Sequence, residues 1–169
     1  LWIKELHIED FGPFKGHQTA KFSLEDGVTV VYGENMRGKT SLLNAVRFAF
    51  FGKVVGRGTK AMSLHQVGNW EQGATGKYGF RVQLVFGDGD HDYKLTRSCR
   101  PRTGVAVPGG DEDYSVDYYL ERDGSVLGPQ QAETDLKRIL PEQIARFFLF
   151  DGELLQEYED LLSSESDMG

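Results

Sequence analysis

Residues 30–46 read VVYGENMRGKTSLLNAV, an apolar run, a glycine-bounded loop and a helix-like stretch in direct succession. Within it, Gly33-Glu34-Asn35-Met36-Arg37-Gly38-Lys39-Thr40 satisfies the phosphate-loop spacing G-x-x-x-x-G-K-[ST] in full. Gly33 and Gly38 let the backbone curl so that successive N–H groups converge on phosphate oxygens. A helix starting near Lys39 adds the positive end of its dipole. Lys39 is then placed to reach the β- and γ-phosphates of a nucleotide, and the Thr40 hydroxyl to ligate Mg²⁺. The pattern also arises by chance, and a glycine-rich turn before a helix can be purely structural. The apolar run before the loop and the helix after it supply the context that a phosphate loop requires.

Working outward, VTVVY (28–32) reads as a buried central strand because its apolar character is unbroken. KTSLLNAVRFAFF (39–51) reads as a helix with Leu42, Leu43, Val46, Ala49 and Phe50 on one face. Phe48 and Phe51 make that helix apolar most of the way round, which predicts burial, and Gly52 suits its stop. Upstream, LWIKELHI and HQTAKFSL alternate as strands around the turn DFGPFKG. Downstream, Lys53 to Lys77 is glycine-rich, basic and aperiodic, and reads as a long loop. KYGFRVQLVF and HDYKLTR form a hairpin over GDGD, CRPRTGVAVPGGDED an exposed loop, and YSVDYYLE with SVLG a second hairpin over RDG. GPQQAETDLKRIL and PEQIARFF look helical, with Pro129 and Pro141 in first-turn positions. GELLQEYEDLL is a charged amphipathic helix.

The 169 residues suffice for one domain with a real core, and 39 % hydrophobic with 12 % aromatic content is that of a folded chain. Cys99 is the sole cysteine, so no internal disulfide or cysteine-based zinc site can form, which suits a reducing cytoplasmic setting. No apolar run approaches the roughly 18 residues of a membrane-spanning helix, so no membrane partner is expected. The net charge of −7 hides a split: residues 1–110 carry 15 Lys+Arg against 10 Asp+Glu, and residues 111–169 carry 4 against 16. A solvated acidic face on the C-terminal part explains this most simply; docking of anionic ligands on the N-terminal part is the rival reading. The four histidines are scattered without metal spacing. Trp70 suits the edge of a core, with base stacking as its rival; Arg97, Arg100 and Arg102 suit DNA phosphates or a solvated basic loop.

IKELHIEDFGPFKG (3–16), GVTVVYGENMRGKTSLLNAVRFAFFG (27–52) and LPEQIARFFLFDGELL (140–155) together resemble the N-terminal lobe of an SMC-like ABC ATPase head. That superclass includes chromosome-maintenance proteins, the coiled-coil ATPase of double-strand-break repair, and RecF- and RecN-like proteins. The FGPFKG entry and FFLFDGE exit are most similar to the DNA-sulfur-modification ATPases (DndD) and their phage-defence relatives. The resemblance implies an α/β P-loop NTPase half-head: a central strand and P-loop helix, an antiparallel β-subdomain and a C-terminal helical exit. It implies an N-terminal lobe over residues 1–152 and the start of a coiled coil over 153–169, where the chain is cut. It implies ATP and Mg²⁺ as cofactors and ATP hydrolysis only after a C-terminal lobe joins and a second identical head pairs. DNA is the implied substrate surface, in modification, repair or anti-phage defence, with other proteins of such a system as possible partners.

Carried over by position, nucleotide contacts fall on Gly33 to Ser41, with Met36 standing where many relatives have Gly. The Q-loop glutamine, which ligates Mg²⁺ and senses the γ-phosphate, falls on Asp151, which makes Asp151 a catalytic and metal candidate beside Lys39 and Thr40. A carboxylate binds the metal more strongly than an amide but donates no hydrogen bond when ionised. The basic residue that relatives place after the first strand falls on Gly12, with Lys15 a weak substitute; Arg57 and Lys60 could approach the nucleotide from their loop. FFLFD admits two readings, a Walker B strand beside VTVVY or a joint leading out of a helical subdomain, and the helix start at Pro141-Glu142 favours the joint. Two alternatives remain open: a self-contained P-loop kinase or GTPase using Asp151 as Walker B, and a non-hydrolysing scaffold gated by nucleotide. The sequence lacks the Asn/Thr-Lys-x-Asp motif that GTP use would need.

Overall fold

Strict alternation of apolar and polar residues builds one antiparallel sheet, and it positions everything else. The computed structural model describes residues 1–22, 28–33, 38–56, 61–145 and 148–149. Six strands, β1 (Trp2–Phe11), β2 (Phe14–Lys21), β3 (Phe80–Gly87), β4 (Asp92–Pro101), β5 (Tyr114–Arg122) and β6 (Ser125–Val126), pair in the order β2-β1-β3-β4-β5-β6, each antiparallel to its neighbours. Register aligns Leu6 with Leu84, and Leu84 with Leu95, which in turn opposes Leu120. A single row of leucines therefore crosses four strands on one face, and all four are fully buried. A slip of one residue anywhere would turn that row to solvent.

Helix α1 (Lys39–Phe51) lies across this apolar face against β1, β3 and β4. Phe48 sits between Phe11 and Phe80, with ring centroids 5.9 and 5.1 Å away, and Phe50 packs on Phe86 at 5.3 Å. Truncating the fully buried Phe48 to Ala would cost about 3–5 kcal/mol. Gly52 ends the helix in the left-handed region at φ 67°, and its N–H closes the last turn on the Phe48 carbonyl. The sequence-derived boundaries of α1 and its stop agree with the structure.

The opposite face of the sheet is polar and charge-balanced. Lys21 pairs with Glu5, Arg81 with Glu9, Lys94 with Glu121 and Arg100 with Asp117, at 2.6 to 3.3 Å, in each case between adjacent strands. Exposed pairs of this kind contribute only about 0–1 kcal/mol each. β5 and β6 meet through Asp123 and Gly124 at φ 50° and 80°, the two positive values a tight type I′ hairpin needs, as RDG predicts. Helix α3 (Pro129–Ile139) starts with Pro129 in its first turn and packs on β5, fixed by Arg122–Asp135 at 3.0 Å and Arg138–Asp88 at 2.7 Å. The short helices α2 (Trp70–Gly73) and α4 (Glu142–Ala145) complete the described elements. Among the described residues no helix is long and apolar enough to cross a membrane.

Four expectations change. VTVVY is not a buried central strand: residues 28–33 pair with no strand among the described residues, and Val28, Val30 and Tyr32 are 91, 79 and 96 % exposed. An apolar run becomes a central strand only where neighbours take its backbone groups and a layer covers each face. The six-stranded sheet supplies neither. The loop from Lys53 onward is partly ordered, with a bridge between Val55 and Ala61, a 3₁₀ turn at Leu64–Gln66 and α2. β4 runs on through Pro101, so Cys99 and Arg100 belong to the sheet rather than to a loop. Trp70 is 74 % exposed and caps no core.

Candidate functional site

The phosphate-loop helix begins at Gly38, whose φ of 99° and ψ of 8° are open to glycine and strained for other residues. Its α-hydrogen faces the turn between β1 and β2: a Cβ there would come within 3.1 Å of both Phe14 Cζ and Pro13 Cγ. One residue further round the turn, Gly12 at φ 54° lies so close to α1 that an added Cβ would sit 3.4 Å from Ser41 Oγ. The β1–β2 turn is therefore a floor pressed against residues 38–41. Gly38 itself has no side chain with which to cap α1, and the first turn of the helix holds no acid. A helix start contributes N–H groups and a positive dipole end, which is a fit for phosphate.

Lys39 and Thr40 are exposed at that start, and Lys39 Nζ donates to the Gly33 carbonyl. Gly33 and Lys39, on either side of the loop residues, thus lie within the reach of one lysine side chain. Glu34, Asn35, Met36 and Arg37 lie outside the described residues. So do Asp151 and the whole of 153–169, along with Arg57 and Lys60.

The floor is held from behind by residues that sequence reading missed. Gly12 N–H donates to the Val67 carbonyl at 2.6 Å, and the buried Asn69 donates from Nδ2 to the Gly12 carbonyl at 2.9 Å. Asn69 N–H reaches the Asp10 carbonyl at 2.8 Å, and its Oδ1 accepts from Gln72 N–H at 3.2 Å to cap α2. Asp10, at φ 52°, accepts from Gly16 N–H and Gln72 Nε2 at 2.7 and 3.0 Å. Lys15 pairs with Glu71 at 2.7 Å, which ties the candidate basic substitute to the same loop instead of to the phosphate end. The one available signal was Asn69 before Trp70-Glu71, an N-cap residue in a stretch otherwise without periodicity.

The far end of α1 is held just as firmly. Arg97, expected on an exposed basic loop, points inward from β4 and is 8 % exposed. Its Nε donates to the Ala49 carbonyl at 2.9 Å and its Nη2 to the Phe50 carbonyl at 3.1 Å, satisfying two last-turn carbonyls that a helix leaves unpaired. The guanidinium lies 4.4 Å from the Tyr118 ring centroid, and burial lowers its pKa to about 10. Cys99, two residues on, is fully buried, and its thiol is pushed up to about 12 by burial, which makes it an inert core residue.

Midway along α1, the buried Asn44 pairs with both backbone groups of Val55: Nδ2 donates to the carbonyl at 2.7 Å, and Oδ1 accepts from the N–H at 3.3 Å. Arg47 donates from Nη1 to Asn44 Oδ1 at 3.4 Å and from Nη2 to the Leu149 carbonyl. Phe148 and Leu149 N–H both return to the Ala145 carbonyl, at 3.1 and 2.8 Å. These two residues of FFLFD therefore close a helical turn and form no ladder with residues 28–31. Among the described residues no group of His, Cys, Asp and Glu could hold a metal without outside help.

Residues 5–162 match the family of AAA domains designated AAA_23, nearly the whole chain. Among curated relatives, the DNA double-strand break repair Rad50 ATPase of Thermoplasma volcanium is 28 % identical over 114 residues, 68 % of this chain and 11 % of the relative. The chromosome partition protein Smc of Methanococcus voltae is 24 % identical over 135 residues, 78 % of this chain and 11 % of the relative. The DNA replication and repair protein RecF of Chlorobium luteolum is 39 % identical over 46 residues, 27 % of this chain and 12 % of the relative. The matched stretches thus span about a ninth of these relatives' lengths. With a family match over most of its length, the chain belongs to the AAA domain family.

Proposed function

We propose that this chain is the N-terminal half of an SMC-like ATPase head, binding ATP and Mg²⁺ through Gly33 to Ser41. The observation that carries the reading is the start of α1, where Lys39 reaches back to the Gly33 carbonyl at a helix end that opens on a left-handed glycine and holds no acid in its first turn. Bound there, Mg²⁺ would offset phosphate charge as the terminal phosphoryl group leaves. The chain's own contributions are separable. N–H groups at the helix start orient the phosphates, Lys39 supplies a point charge, and the Thr40 hydroxyl holds the metal. Asp151 takes the place of the Q-loop glutamine as a further metal ligand.

The exposed run at Val28 to Tyr32 supports the half-head assignment, because so much apolar surface on a strand-forming sequence suits pairing with strands from a C-terminal lobe. In this reading hydrolysis needs that lobe and a second, identical head. The output is ATP-driven engagement of heads on DNA, in the cytoplasm, with residues 153–169 beginning a coiled coil. The names of the relatives favour repair or chromosome work; the FGPFKG and FFLFDGE motifs favour DNA modification or phage defence, with further proteins of such a system as partners. The test is ATP turnover by the full-length protein with and without DNA, beside the 169-residue chain alone. Turnover by the full-length protein, abolished by Lys39→Ala and absent from the short chain, is expected. Steady hydrolysis by the short chain would replace the half-head with a self-contained enzyme, and nucleotide binding without any turnover would leave a scaffold.

A further inference from the structure

Residues 67–69 run antiparallel to the end of β1 and are tied to it by two backbone hydrogen bonds. Gly12 N–H donates to the Val67 carbonyl at 2.6 Å and Asn69 N–H to the Asp10 carbonyl at 2.8 Å, with Phe11 facing Gly68 between them. This strap lies close to the start of β3, since a Cβ on Gly68 would sit 3.4 Å from the Tyr78 carbonyl oxygen and 3.6 Å from the Phe80 ring. It is fastened upstream as well. Leu64 N–H donates to Asp111 Oδ1 at 2.6 Å, and Met62 N–H to the Val54 carbonyl at 2.9 Å. The next residue, Val55, is held on α1 by Asn44 at 2.7 and 3.3 Å.

The turn that the strap holds is strained. Asp10 and Gly12 have φ of 52° and 54°, and the β1–β2 register shifts between Glu9 and Phe11. An aspartate in the left-handed region is disfavoured and persists only where its surroundings over-determine it. Two side chains do so here: Gln72 Nε2 donates to Asp10 Oδ1 at 3.0 Å, and Asn69 Nδ2 to the Gly12 carbonyl at 2.9 Å. Asn69 is 4 % exposed, so little water stands ready to replace its amide. On the other side of the turn the clearance is small. A Cβ on Gly12 would lie 3.4 Å from Ser41 Oγ, and one on Gly38 3.1 Å from Phe14 and Pro13. With so little space between them, the turn and the start of α1 move together.

We propose that Asn69 is a positioning residue for the nucleotide: by holding the Gly12 carbonyl it fixes the β1–β2 turn beneath Gly38 to Ser41 and so the aim of the helix start at the phosphates. This rests on the phosphate site proposed above. The experiment reads ATP affinity of the full-length protein, well below the melting temperature of each variant, for Asn69→Ala, Asn69→Asp, Asp88→Asn and Lys39→Ala. Aspartate keeps an acceptor for the Gln72 N–H and loses the donor to Gly12. Asn69→Ala and Asn69→Asp are each expected to weaken ATP binding about five- to tenfold. Asp88→Asn is a control for lost stability at the other end of β1, where Trp2 pairs with Gly87, and should change affinity less than about twofold. Wild-type affinity in Asn69→Asp overturns the proposal, because the cap of α2 rather than the tie to Gly12 would then matter. An equal loss in Asp88→Asn overturns it too, since affinity would then follow stability alone. Should Asn69→Ala or Asn69→Asp fail to fold, Asn69→Ser, too short to reach Gly12, carries the same comparison. If Lys39→Ala binds ATP as wild type does, the phosphate site falls and this inference with it. If Lys39→Ala abolishes binding while Asn69→Asp changes nothing, this inference alone falls.

Discussion

Replacing Arg97 with Met keeps the volume of a buried side chain and removes its donors, which isolates the capping of α1. The wild-type guanidinium makes two charged hydrogen bonds, to the Ala49 and Phe50 carbonyls. At about 1.5–3 kcal/mol each they are worth roughly 3–6 kcal/mol. Stacking on Tyr118 adds about 0.5–2 kcal/mol. Against this stands desolvation: burial takes the pKa from 12.5 to about 10, which at about 1.36 kcal/mol per pKa step is roughly 3 kcal/mol. Methionine recovers that cost and leaves two carbonyls without partners, so the net loss should be about 3 kcal/mol, inside the roughly 0.5–5 kcal/mol that these terms span. For a domain of this size that lowers the melting temperature by about 5–12 °C. Urea titration followed by the fluorescence of Trp2 and Trp70 reads it directly. Arg97→Lys should fall between, since one ammonium cannot serve both carbonyls along the fork of a guanidinium. A loss below about 0.5 kcal/mol for Arg97→Met would show that water or backbone rearrangement satisfies the helix end, and the capping argument would fail.

Gly38→Ala places a Cβ 3.1 Å from Phe14 and Pro13 at a backbone angle that alanine avoids, and should cost about 1–3 kcal/mol in thermal unfolding, with weaker ATP binding in the same protein. Lys39→Ala should weaken ATP with or without Mg²⁺, whereas Thr40→Ala should weaken mainly the Mg²⁺ complex; indistinguishable titrations would refute that division of roles. At Asp88, burial opposes the charge, but the Arg138 guanidinium and the His91 and Asp90 amides outweigh it and hold the carboxyl below the usual range. A carboxylate depressed in the folded state stabilises fully above its unfolded value near pH 4 and loses that contribution as the pH falls further. Asp88→Asn should therefore cost about 1–2 kcal/mol in urea unfolding at pH 7, and the gap from wild type should narrow below about pH 4; a gap independent of pH would contradict the assignment.

The parts legible in the sequence are those set by neighbours along the chain. The period of KTSLLNAVRFAFF and the glycine after it placed α1 to the residue, and RDG fixed a hairpin whose turn angles only such residues adopt readily. What stayed illegible depends on distant partners. VTVVY carries the composition of a central strand, yet strand formation needs a neighbour that the described sheet does not provide. Asn69 reaches Gly12 across 57 residues, and its local N-cap pattern gives no sign that it braces the β1–β2 turn. Arg97 looked like a surface cation because arginine usually is one. Its inward place in the alternation of β4, between Leu95 and Cys99, was the available clue.

The central claim is that the start of α1 receives the phosphates, and amide chemical shifts during a Mg-ATP titration of the isotopically labelled chain test it most directly. The account predicts large, saturable shifts at Gly38 to Ser41 and smaller ones at Gly12, where an added Cβ would lie 3.4 Å from Ser41 Oγ, with all of them lost in Lys39→Ala. The polar sheet face, sampled at His7, His17 and Arg81, should stay still. Saturable shifts on that face with none at Gly38 to Ser41 would contradict the claim.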